Sequence, residues 1–166
     1  MKGKKAREMP RISDWLVIQR PEETTLVIKS KSPLKHLESE IVTSHQKLRD
    51  YLNHCEVSPA GNYFARYHSF SKKEVDFEVG FPTANQLAGK EVIIASKKQG
   101  GLYLTCIHQG PRKTIPSVYR EMADWLKAHH LKTTGESEEI YLNEKTQEAL
   151  LLTQILIPIL EDVNGE

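Results

Sequence analysis

Two stretches of this chain are written to one plan. Residues 26–33 (LVIKSKSP) and 104–111 (LTCIHQGP) share a length, an apolar weight and a terminal proline. A helical pattern follows each proline. In the first it runs through Ile41, His45, Leu48, Leu52 and Cys55; in the second, through Ile115, Val118, Met122, Trp125, Leu126 and His129. Stripes of that spacing predict one buried face per helix. Near the helix ends Asp50-Tyr51-Leu52 answers Asp124-Trp125-Leu126, and Gly61 and Gly135 stand at a common distance beyond as terminators. Extended segments come next, 63–69 (YFARYHS) and 138–142 (EEIYL), with Tyr67 matching Tyr141. Last come 75–82 (VDFEVGFP) and 153–159 (TQILIPI), each with a late proline. A repeat held in register over this length constrains the fold more than any residue within it.

Each half therefore reads as strand, helix, strand, strand, with repeat one at about residues 24–82 and repeat two at about 102–160. Between them residues 91–96 (EVIIAS) supply another strand, and Gln99-Gly100-Gly101 predicts a hairpin turn into Leu102 and Tyr103. Two units, each with an apolar helix stripe, give an α+β fold: a combined antiparallel sheet with both helices on one side. The other sheet face is then expected to be concave, with a ligand groove at the seam between the halves.

A length of 166 residues fits one domain, expected over 15–166 behind a flexible tail at 1–14 that holds the basic run Lys2, Lys4, Lys5 and Arg7. The 23 Lys and Arg balance 22 Asp and Glu, which argues against direct nucleic-acid or membrane-surface binding. No apolar segment is long enough to span a membrane and no signal sequence is evident, so a cytoplasmic protein is expected. Cys55 and Cys106 are far apart and read as buried free thiols. The seven histidines show no metal-ligand spacing, and no cofactor or common nucleophile motif appears.

Strand alternation puts Glu139 and Tyr141 on one face, where the first repeat has Ala65 and Tyr67. The halves are thus alike in tyrosines and unequal in charge. A carboxylate in a desolvated groove costs several kcal/mol unless it meets a cation, and aromatic walls add cation-π attraction of about 0.5 to 2 kcal/mol each. Tyr67, Tyr141, Tyr119 and Trp125 are the candidate walls. The spacing leaves a second reading open, in which Glu138 and Glu139 are the solvated edge of a strand and the aromatics are core.

Several motifs occur in order: Ser58-Pro59-Ala60-Gly61, Ala65-Arg66-Tyr67-His68, Asp76-Phe77-Glu78-Val79-Gly80-Phe81-Pro82, Gly100-Gly101-Leu102-Tyr103, His108-Gln109-Gly110-Pro111, Trp125-Leu126 and Glu139-Ile140-Tyr141-Leu142. Together they resemble the GyrI-like effector-binding domain, found alone and in bacterial multidrug-responsive transcription regulators. The similarity runs over about residues 24–159. It implies two βαββ units (an SHS2 module each), a cleft between them, and an acid at Glu139 that contacts cationic ligands. The expected ligand-contacting set is then Glu139, Tyr141, Tyr67, Tyr119, Trp125, Phe81, His68 and Tyr103. One departure stands out: the family usually has tyrosine after the Gly-Pro pair, and this chain has Arg112, which removes an aromatic wall or adds a competing positive charge. A second is Asn143-Glu144-Lys145 in place of the family's Asp-Pro, which reads as a changed turn.

The leading functional expectation is a stand-alone binding protein for bulky hydrophobic, cationic aromatic compounds, acting in multidrug sensing or sequestration. Too few residues precede Thr24 for a helix-turn-helix, so regulation of transcription would need another chain. The alternative is a cofactor-free hydrolase of strained, cyclopropane-type natural products, with Glu139 activating water and Tyr141 or Tyr67 as proton donor. A third reading is an inhibitory protein acting on an unidentified protein partner.

Overall fold

The computed structural model describes residues 10–71, 73–144 and 146–161. The basic run at Lys2, Lys4, Lys5 and Arg7 lies outside them. In chain order the elements are β1 (Leu16–Arg20), β2 (Glu23–Ser32), α1 (Leu37–His54), β3 (Phe64–Phe70), β4 (Val75–Pro82), β5 (Ile93–Lys98), β6 (Gly101–Gln109), α2 (Ile115–Ala128), β7 (Ser137–Tyr141) and β8 (Leu152–Pro158). All eight strands form one antiparallel sheet in the spatial order β1-β6-β8-β7-β3-β4-β2-β5.

The repeat governs this order. The first half contributes β3-β4-β2, the second β7-β8-β6, and they meet where β3 pairs with β7. Their helix ends match down to single hydrogen bonds. Glu56 (φ 54°) and His130 (φ 55°) sit at the same offset from Tyr51 and Trp125. Val57 N–H donates to Leu52 O at 3.0 Å, and Leu131 N–H to Leu126 O at 2.9 Å. These left-handed residues end the helices, several positions before Gly61 and Gly135, to which the sequence pattern assigned that task.

Two strands change partners. β1 leads directly into β2 yet pairs with β6, and β5 leads into β6 yet pairs with β2. The Gln99-Gly100 link is therefore not the hairpin expected from its glycines. In a flat sheet these link ends, six strand spacings apart, would be separated by roughly 29 Å, whereas a two-residue link spans at most about 11 Å between flanking Cα atoms. The sheet must curl until its ends meet. They do: a Cβ on Gly100 would lie 2.8 Å from Arg20 O and 3.0 Å from Glu22 N.

Both helices cover the same sheet face, as expected. Ile41, Leu48 and Leu52 of α1 pack on Leu26, Ile28, Phe77 and Val79, while Ile115, Val118, Met122 and Leu126 of α2 pack on Leu104, Cys106, Ile155 and Ile157. Full burial of such side chains is worth about 1.5–3 kcal/mol each. His129 and Cys55, counted in the helix stripes, are exposed at the helix ends; of the two free thiols only Cys106 is buried. Residues 10–14 are not a free tail, because Ile12 N–H donates to Ile107 O (2.9 Å) and Gln109 N–H to Pro10 O (2.6 Å), alongside β6 beyond the start of β1.

Candidate functional site

Ala65, Glu139 and Ile155 stand side by side across β3, β7 and β8, and paired residues point to one face. Ile155 belongs to the core under α2. Glu139 therefore rises on the helix-covered face, between α1 and α2, and not on the opposite, concave side where the groove was expected. The pseudo-twofold puts the seam there: α1 covers β2 and β4, α2 covers β6 and β8, and the central strands β3 and β7 lie under the gap.

Glu139 is 6% exposed, and three phenols donate to it. Tyr119 reaches Oε2 at 2.8 Å, while Tyr141 and Tyr67 reach Oε1 at 3.0 and 3.3 Å. Tyr67 and Tyr141, matched in the repeat, face each other with hydroxyls 3.4 Å apart. Burial pushes the Glu139 carboxyl above its ordinary pKa, and the hydrogen bonds from Tyr119 and Tyr141 with the charge of Arg112 pull it part of the way back. Burial and then the nearby carboxylate drive the three phenols well above 10, so they stay protonated donors at neutral pH.

Above this acid opens a cleft of about 570 Å³, walled by Leu37 and Ile41 of α1, Ile115 and Tyr119 of α2, and Phe70. Leu34 and Phe70 at its mouth are 63% and 55% exposed. A second hollow of about 570 Å³, further along α2 towards its C-terminus, shares Phe70 and Tyr119 with it but is not lined by Glu139. Arg112, at the entry to α2, also lines the cleft. Its Nη2 donates to the Tyr63 hydroxyl at 3.2 Å and its Cζ lies 4.4 Å from the centre of the Tyr141 ring. Tyr63 in turn stacks on His45 with ring centres 3.7 Å apart. Sequence reasoning missed Tyr63, which precedes β3 by one residue; its match to Tyr67 in aromatic type was the available signal.

The other expected residues go elsewhere. Phe81 is core beside His45 and Tyr63. Trp125 stacks on His129 along α2. His68 and Tyr103 are on the opposite sheet face. There His68 lies 2.8 Å from Glu78 and 2.7 Å from Glu136, and the Tyr103 ring lies under Arg20. His108 is fully buried against Thr114. Glu138, the residue before Glu139, is also on that face and is 0% exposed, so neither glutamate is a solvated edge. It accepts two bonds from Arg20 (2.9 and 2.8 Å), one from Arg66 (2.9 Å) and one from Lys98 (2.8 Å). Among the described residues no three His, Cys, Asp or Glu side chains gather as a metal site.

The family model for the GyrI-like small molecule binding domain matches residues 17–160. The chain belongs to that GyrI-like family. No curated protein matches it in sequence. Among solved structures it resembles EcmrR in a DNA complex (TM-score 0.80, 18% identity), covering 89% of this chain and 57% of that one. This GyrI-like chain thus spans little more than half of that EcmrR chain. Against the isolated EcmrR C-terminal domain the TM-score is 0.70 at 18% identity, covering 90% of this chain and 99% of that one. SAV2435 bound to tetraphenylphosphonium gives 0.64 at 12%, covering 92% and 98%. A hydrolase encoded by lin2189 from Listeria innocua gives 0.67 at 13%, covering 92% and 94%. At these identities the likenesses establish the fold. No helix among the described residues is long and apolar enough to cross a membrane.

Proposed function

We propose that the cleft between α1 and α2 binds bulky aromatic compounds carrying a delocalised positive charge, for sensing or sequestration. The observation that carries this is Glu139: an acid at the floor of an apolar cleft, held by three neutral phenol donors and, among the described residues, by no ion pair. Phenols steady a carboxylate without cancelling its charge, and a desolvated anion gains several kcal/mol from a matching cation. Tyr67 and Tyr119 offer rings to the same ligand at about 0.5 to 2 kcal/mol each. SAV2435, a structural relative, is bound to tetraphenylphosphonium, a cation of this class.

Calorimetric titration with tetraphenylphosphonium and with neutral triphenylphosphine oxide tests the reading. Glu139→Gln is expected to weaken the cation more than tenfold, about 1.4 kcal/mol or above, and the neutral compound hardly at all. Equal losses would mean that shape, not charge, holds the ligand.

The same geometry supports a second reading. A carboxyl with a raised pKa, within 3.0 and 3.3 Å of the Tyr141 and Tyr67 hydroxyls, is an acid–base arrangement able to activate water and protonate a leaving group. Turnover of a cyclopropane-type alkylator that disappears in Glu139→Gln while binding persists would favour the hydrolase.

A further inference from the structure

Beside the carboxyl of Glu139, the aromatic pair at the heart of the cleft is touched, among the described residues, by one cationic side chain, Arg112. Its guanidinium lies over Tyr141, whose hydroxyl bonds Glu139, and is tethered to the Tyr63 hydroxyl. It also lines a second cavity of about 260 Å³, formed with His45, Tyr63, Tyr141 and Glu144. A side chain that lines two neighbouring cavities is part of the wall between them, so Arg112 separates the cleft from this smaller cavity. Among the described residues only one of its donors is used, by Tyr63. The rest of a planar, always charged fork is left beside the cleft.

Charge along the lining is mixed. Glu139 and Glu38 face Arg112 and Arg120 around the same space. A purely cationic aromatic that pairs with Glu139 also meets the fixed positive charge of Arg112. Stacking over Tyr141, the position in which a ligand cation would gain most from that ring, is already taken. A ligand bearing an anionic group as well turns this cost into a gain, because a preorganised guanidinium accepts a carboxylate or sulfonate through two parallel hydrogen bonds.

We infer that Arg112 sets the ligand class of this cleft: amphoteric aromatics, with a delocalised cation over Glu139 and a carboxylate or sulfonate on Arg112, in preference to simple aromatic cations. The inference rests on the reading of Glu139 given above. It adds a second anchor, opposite in sign.

Rhodamine B and its ethyl ester share the cationic xanthylium core and differ in one free carboxylate. Fluorescence anisotropy titrations of both dyes compare wild type, Arg112→Gln, Arg112→Lys and Glu139→Gln, with circular dichroism as the check on folding. Wild type is expected to bind the free acid at least about fivefold tighter than the ester. Arg112→Gln is expected to abolish or invert that preference by tightening the ester and weakening the acid, and Arg112→Lys to keep part of it. A wild-type protein that binds the ester as tightly as the acid, or a preference unchanged in Arg112→Gln, overturns the inference. If Glu139→Gln still weakens both dyes in that case, the reading of Glu139 stands and only the second anchor falls. If neither dye binds wild type, both fall. The wild-type comparison decides the matter even if Arg112→Gln does not fold.

Discussion

Glu138 and Glu139 are neighbours in β7, and the sheet lies between their carboxyl groups. Burial works to raise the pKa of both. For Glu138 the hydrogen bond from Arg20 and the charges of Lys98 and Arg20 outweigh it and bring the carboxyl down to about 2. For Glu139 the donors are phenols, and burial prevails. One glutamate is thereby a fixed anion that closes the fold, and the other is an acid whose charge depends on its company.

Closing the fold is visible in where Glu138's partners come from. Arg20 ends β1 and Lys98 ends β5, the two edge strands of the curled sheet, and Arg66 sits beside Glu138 on β3. Removing the anion leaves three cations around an uncompensated hole, so Glu138→Gln should cost about 3–5 kcal/mol in urea unfolding. The pH dependence has a defined sign. Because the folded pKa, about 2, is below the ordinary 4.5, the stabilisation is complete above 4.5 and is lost as pH falls toward 2, on the order of 3 kcal/mol in all. Unfolding free energies for wild type and variant should converge across that window. Parallel curves would show that Glu138 is not the anion of the clamp.

Glu139 works in the opposite sense. Its pKa is raised on folding, so folding favours the protonated form, and free protein should lose stability as pH climbs from 4.5 through the raised value. A permanent cation favours the ionised form. Its affinity should therefore increase with pH over the same interval, with proton release measurable by calorimetry in buffers of different ionisation heat. Glu139→Gln should be at least as stable as wild type near neutral pH and show no proton release. Release that persists in the variant would point to another group.

The repeat was legible because it is local and periodic: β2 with β6, α1 with α2, β3 with β7 and β4 with β8 all follow from patterns inside single segments. What was not legible depends on pairing between distant strands. Residues 93–98 and 101–109 look like a hairpin because a Gly-Gly step joins them, yet the first pairs with β2 of the first half and the second with β8 of the second. β1 went unread for the same reason: Leu16 and Val17 are exposed on an edge and leave no core stripe.

At the site, alternation correctly separated Glu138 from Glu139 and joined Glu139 to Tyr141. It could not say which face the helices cover, since both faces of β7 hold a buried glutamate. Tyr119 came into the candidate set as an aromatic on α2, and its position over the gap brings it to Glu139. His68 and Tyr103 were carried by neighbouring motifs on strands whose alternate residues face the other way. Arg112 was visible as a departure from the family pattern; its seat between Tyr63 and Tyr141 was not.

The meeting of the sheet's ends can be tested without touching a charge. A Cβ at Gly100 would press on the backbone of residues 20–22, at 2.8 Å from Arg20 O and 3.2 Å from Pro21 C. Backbone in a two-residue link has little room to retreat. Gly100→Ala should destabilise by about 1–3 kcal/mol and should weaken the Glu138 clamp with it, so that its effect and that of Glu138→Gln fall short of additive in a double-mutant cycle. Full additivity would mean the link and the clamp are independent.

Tyr119→Phe separates the charge of the site from its shape. The substitution keeps a ring that lines both large cavities and removes the shortest of the three bonds to Glu139, 2.8 Å against 3.0 and 3.3 Å. A donor to the ionised form lowers a carboxyl pKa, so its loss should raise that of Glu139 further. The profile of cation affinity against pH should move to higher pH, while a neutral aromatic binds as before. At pH high enough to ionise Glu139 in both proteins, the variant should bind the cation as tightly as wild type or more so, because a less satisfied anion gains more from a counter-charge. Tyr67→Phe, which removes the longest of the bonds, should shift the profile less. A profile that stays in place in Tyr119→Phe would mean that this phenol does not hold the carboxylate, and the acid would then rest on Tyr141 and Tyr67 alone.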